Sequence, residues 1–186
     1  MTPPLRITAS FYERNDSMHP YEHPLFLNFI VYFNKNQDYF ECHEVLEEYW
    51  KSIPNYTKDH PLTAFILLST GLYHWRRGNM DGAYRTLVKA EKRMREIRKL
   101  DVRYTVAIDF KKLVHDTEQS VRLVKNSEPF SPFPIALTSV SLQRSVEELA
   151  SSMNLLPVGS DAVIHKHMLR DRSDILAERE KKKRRH

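Results

Sequence analysis

The chain is predicted to be all-α: a compact five-helix bundle with an extended proline-containing segment and a helical, basic C-terminal tail. Three observations carry that prediction. Apolar residues recur at spacings of three and four in one stretch after another, the period of a helix with one buried face. Only four glycines interrupt the 186 residues, and most of the ten prolines sit near the N-terminus or in one later cluster, so long stretches are free to be helical. A hydrophobic content of 41% in a chain of this length is enough for one helical core.

Residues 1–20 mix prolines with polar groups without a sustained period and read as an arm. The bundle is expected over residues 21–126. Its first helix starts near Pro24 and aligns Leu25, Phe26, Phe29, Ile30 and Phe33, until Asn-Lys-Asn-Gln from Asn34 supplies a turn. Asp38 and Glu41 form a capping-box pattern, in which the Asp carboxylate accepts from free backbone donors while Glu41 reaches back. The second helix then carries Tyr39, Cys42, Leu46, Tyr49, Trp50 and Ile53 on one stripe, and Pro54 stops it. His43 falls within that stripe and Glu47 follows one turn later on the same side; Glu44 lies further round, and Glu41, Glu48 and Lys51 face water.

The third helix, roughly Pro61 to Arg77, is apolar almost all round, which requires neighbours on several sides and makes it the centre of the bundle. Pro61 suits a first-turn position. Gly71 costs about 1 kcal/mol relative to Ala inside a helix, so its presence points to close approach of another helix. Gly78 is placed as a left-handed cap, and Asn79 or Asp81 caps the fourth helix. There Ala83, Leu87, Ala90, Met94 and Ile97 form the seam of an antiparallel pair, with Arg85, Lys89, Lys92, Arg93 and Arg95 around it. The fifth helix is expected from about Tyr104 to Lys125, with Ala107, Phe110, Val114, Val121 and Val124 inward.

Residues 127–160 change grammar. Prolines between Glu128 and Pro134 remove backbone donors and keep the chain extended, so that Phe130, Phe133, Ile135 and Leu137 lie across the bundle before a short helix over Ser141 to Met153. Residues 161–186 form a charged, partly helical tail, with a last helix from Ser173 that is acidic early and basic late, as the helix dipole favours.

The formal charge of +5 is uneven: residues 161–186 hold nine Lys/Arg against five Asp/Glu, and the remainder holds 20 against 19. Any attraction to nucleic acid or an anionic membrane is therefore expected mainly in the tail. No stretch is apolar and long enough to span a bilayer, no secretory signal opens the chain, and the single Cys42 cannot form an internal disulfide, so a cytoplasmic protein is expected.

Asn34, the run Asp38-Tyr39-Phe40-Glu41-Cys42-His43-Glu44-Val45-Leu46-Glu47-Glu48-Tyr49-Trp50 and the run Gly71-Leu72-Tyr73-His74-Trp75-Arg76-Arg77-Gly78-Asn79 resemble the signature of the bacterial family of domain of unknown function 309. The resemblance covers about residues 25 to 100. It implies an all-helical bundle, attaches no reaction, and directs attention to His43, Glu44, Glu47, Trp50, Gly71, His74, Gly78 and Asn79.

Four apart on a helix, His43 and Glu47 suit acid/base chemistry or a polar pair that orients two helices. The zinc-protease motif fails locally, because position 47 is Glu where the second His is needed. Phosphate loops and serine-hydrolase elbows are absent from the sequence. The leading expectation is a non-catalytic module that binds a protein or small ligand, without a cofactor, through a pocket of His43, Glu44, Glu47, Trp50 and His74. Asp38, Glu41, Gly71, Gly78 and Asn79 are its structural residues. The alternatives are a metal-dependent hydrolase using His43, Glu47 and His74, and nucleic-acid association through the basic tail.

Overall fold

The computed structural model describes residues 19–169, apart from the side chains at 98–100 and 169. The helix expected from Ser173 and the basic run Lys181 to Arg185 lie outside the described residues. Five helices follow in the expected order: α1 (Pro24–Val31), α2 (Tyr39–Ser52), α3 (Leu62–Arg76), α4 (Met80–Leu100) and α5 (Phe110–Lys125). Shorter helices α6 (Val140–Ser152), α7 (Asp161–Ile164) and α8 (Lys166–Leu169) come after them. The described residues contain no strand, only an isolated bridge between Ile108 and Leu137. The all-α expectation is met.

The helix ends are set by local chemistry. After α1 a widened π-type turn over Tyr32–Asn36 ends at Gln37, whose φ of 54° is left-handed. The Asp38 carboxylate accepts from the Glu41 backbone N–H at 3.0 Å, the first half of the capping box. The second half is not formed, because Glu41 turns to Lys166 instead. Gly78, at φ 74°, reverses the chain after α3, and the Asn79 side chain caps α4 at the Gly82 N–H.

Helix α3 lies between α2 and α4, as its all-round hydrophobicity requires. The predicted α4 seam, Ala83, Leu87, Ala90, Met94 and Ile97, is buried throughout. At Gly71 the helices approach so closely that a Cβ would stand 2.6 Å from Leu87 Cγ, which explains the glycine. Phe26, Phe29, Phe33 and Phe65 meet edge to face at 5.3 to 5.8 Å and anchor α1 to the bundle.

The expected fifth helix is corrected in start and register. Val102–Tyr104 form a short 3-10 turn, and α5 begins only at Phe110, capped by the Asp109 side chain. The backbone around Ala107 is taken by the later chain: Thr138 N donates to Ala107 O at 3.0 Å and Asp109 N to Ala136 O at 2.8 Å. The buried face becomes Phe110, Leu113, Thr117, Ser120 and Val124, leaving Val114 and Val121 half-buried.

The proline segment crosses its own bundle. Phe130 packs edge-on against Tyr39 and Trp75, Phe133 reaches Phe33, and Ile135 is buried. Asn34 makes a two-way bond with the Ile135 backbone, at 2.8 and 2.9 Å, and Trp75 donates to Glu128 O at 3.0 Å. Helices α7 and α8 then cover the corner where α2 begins and α3 ends. Lys166 lies 2.7 Å from the buried Asp38 and 2.9 Å from Glu41, so Glu41 does not face water as the helical wheel suggests.

Candidate functional site

Helices α2 and α3 run antiparallel, with the Arg76 guanidinium 4.9 Å from the Tyr39 ring centre and Phe40 beside Tyr73. Further along, the same pairing brings Glu47 and Trp50 to Thr63, Ile66 and Leu67, and these five line one cleft of about 460 Å³. The floor belongs to α3 and one wall to α2. The opposite wall is α4, with Lys89, Lys92, Arg93 and Glu96, and Lys58 closes one end from the connecting loop.

Trp50 is a fixed wall. Its indole N–H donates to Thr57 O at 2.9 Å, and Tyr56 meets its ring edge-on at 4.7 Å. Glu47 pairs with Lys51 at 3.0 Å, while Arg93 pairs with Asp59 and, at 3.7 Å, with Glu96.

The polar residues of α2 are arranged differently from the helical-wheel expectation. His43 Nδ1 lies 3.2 Å from Glu44 Oε1, so its immediate partner is the adjacent glutamate and not Glu47. His43, Glu44 and Glu47 nevertheless each offer a ligand atom within 4.8 Å of the others, all half-buried.

His74 is not brought into this group or into the lining of the cleft. Its Nδ1 instead accepts from the Asn79 side-chain amide at 3.2 Å. Burial first, then the charges of Arg77 and Arg85, lower its pKa below the ordinary imidazole value. Tyr39, Tyr73 and Trp75 are buried elsewhere in the bundle. Cys42 is buried with Sγ 3.7 Å from Phe29 O, and burial pushes its thiol pKa up, opposite to what a nucleophile needs.

Periodicity did not single out the cleft floor or the corner around Lys166. The signal for the floor was present: Thr63, Ile66 and Leu67 lie on one half-exposed face of α3, which Thr70 and His74 continue outside the cleft, while apart from Arg76 the rest of the helix is buried. The corner had no such signal, because it joins positions 38, 41 and 166.

Residues 26–86 match the family described as domain of unknown function (DUF309). The chain is 31% identical over 168 residues to the uncharacterized protein YpuF of Bacillus subtilis (strain 168), a similarity covering 84% of this chain and 91% of that relative. No solved structure matches it. Bundle, signature residues and near full-length relative agree: the chain belongs to the bacterial DUF309 family.

Proposed function

We propose that the protein is a non-catalytic binding module whose recognition site is the cleft between α2 and α4, and that its occupant is a small ligand with an apolar body. The observation that carries this reading is the half-exposed apolar floor of Ile66 and Leu67 beside a fixed Trp50, in a concavity of about 460 Å³. That volume falls in the range of small-molecule sites, and a wall already held in place spares the ligand the cost of ordering it. In this reading Glu47 and Trp50 touch the ligand, His43 and Glu44 form the polar margin on α2, and His74 stands outside.

The test is a panel of neutral aromatic and aliphatic fragments followed by NMR. Binding at the cleft shifts the Trp50 indole N–H together with the Ile66 and Leu67 methyls, and Ile66→Arg abolishes those shifts while the fold persists. Fragments that bind only elsewhere, or nowhere, sink the reading.

A second reading rests on the three clustered ligand atoms. His43, Glu44 and Glu47 would hold a divalent cation, with Glu44 in the place first expected of His74, if Glu47 gave up Lys51. Such a centre supplies metal-assisted hydrolysis when a water completes it. Calorimetric titration with zinc or manganese decides: stoichiometric heat lost in both His43→Ala and Glu47→Gln supports it, and no heat from the untagged protein rejects it.

A further inference from the structure

The charge around the cleft specifies more about its occupant. Four cations and two carboxylates line it, and their partners are unequally distributed. Glu47 is matched by Lys51, and Arg93 by Asp59 and Glu96. Among the described residues no carboxylate pairs with Lys58, Lys89 or Lys92. Elsewhere on α4 the opposite holds, since Arg95 is bound by both Glu91 and Glu118. Lys89 and Lys92 are three residues apart on one helix, so their ammonium groups project on the same side, over the edge of an apolar floor.

We infer that the cleft takes a small amphipathic anion: an apolar chain laid on Trp50, Ile66 and Leu67, with its anionic head held at the Lys89 and Lys92 edge. The inference rests on the cleft being the binding site and adds the chemical class of what enters it. The two lining carboxylates already have cationic partners, so a positively charged head would meet repulsion without a free acceptor. A neutral head would leave the lysines solvated and gain only from the floor. An anion satisfies both parts of the lining at once, and being exposed, the lysines add selectivity more than strength.

The experiment uses the full chain and four probes sharing one alkyl chain: octanoate, octyl phosphate, octanol and octyltrimethylammonium, each below its micellar concentration, followed by NMR. The Trp50 indole and the backbone amides of Lys89 and Lys92 should shift with either anion at a Kd about tenfold lower than with the cation, and added salt should narrow the gap. Comparing octanoate with octyl phosphate tells which head is preferred. Lys89→Glu/Lys92→Glu should invert the order of anion and cation, and Lys89→Met/Lys92→Met should erase it without disturbing the fold. Equal binding of all four probes at the cleft overturns the anionic ligand and leaves the cleft as a binding site. Probes that leave Trp50, Ile66 and Leu67 unperturbed overturn both.

Discussion

Two side chains show how strongly single positions are constrained. His23 is 4% exposed, stacks on Tyr49 with ring centres 3.7 Å apart, and accepts from the Leu25 N–H through Nδ1, a bond that only the unprotonated nitrogen can make. Burial lowers its pKa from 6.5 to about 4. Between those values the unfolded chain binds a proton that the folded chain refuses. The contribution is therefore complete above pH 6.5 and is lost as pH falls toward 4, on the order of 3 kcal/mol across the window. His23→Asn keeps a capping oxygen without a titrating ring, so urea unfolding of this variant should show a smaller loss of stability between pH 7 and pH 5 than the parent; equal losses would acquit His23. At Gly71 the constraint is steric. A new Cβ meets Leu87 Cγ at 2.6 Å and the Leu87 backbone N at 3.3 Å, so Gly71→Ala should destabilise by about 2 kcal/mol. Adding Leu87→Ala should then cost less than it does in the parent, and strict additivity in a double-mutant cycle would show that the helices do not press on each other here.

At the scale of elements, the core helices were readable because each writes its own period, caps and stops. The seam of α4 and the glycine turn after α3 stand where the spacing places them. The start of α5 was not readable, since Ala107 is claimed by a backbone pairing with residues 136–139 that no local pattern announces. The proline segment shows the converse: its aromatic residues pointed to the bundle surface, and only packing gave them partners. Phe130 lies against Tyr39, Trp75 and the Arg76 guanidinium. Phe130→Ala should lower stability by about 2 kcal/mol, less than a fully enclosed Phe because it is half-buried. It should also speed amide exchange in residues 128–135 before the bundle; uniform acceleration everywhere would mean that the strap is not a separable layer.

For the whole molecule, the two ends of the α2–α3 pair have different roles. One end holds the cleft. At the other, α7 and α8 are fastened by Lys166 on Asp38 and Glu41, His167 on Tyr73 and Arg76 on Val163 O. Burial alone would lower the Lys166 pKa, but hydrogen bonds to both carboxylates raise it, so the ammonium form is kept. Asp38 is 1% exposed, and removing its partner leaves a buried carboxylate with only its capping bond. Lys166→Gln should therefore cost about 2 kcal/mol and open the chain after Ser160 to limited proteolysis; an unchanged digestion pattern would show that the clasp is held by other contacts. By itself the sequence determined the helical class, the order of the core helices, the N-caps of α2 and α4 and the positions of His43, Glu47 and Trp50 on α2, because periodicity and capping act over a few residues. Tertiary structure alone decided that His74 leaves the group, that Ile66, Leu67 and two lysines of α4 complete a cleft with Trp50, and that Lys166 closes on Asp38. Those outcomes depend on how helices rotate against one another, and rotation is fixed by packing between residues that are distant in the chain.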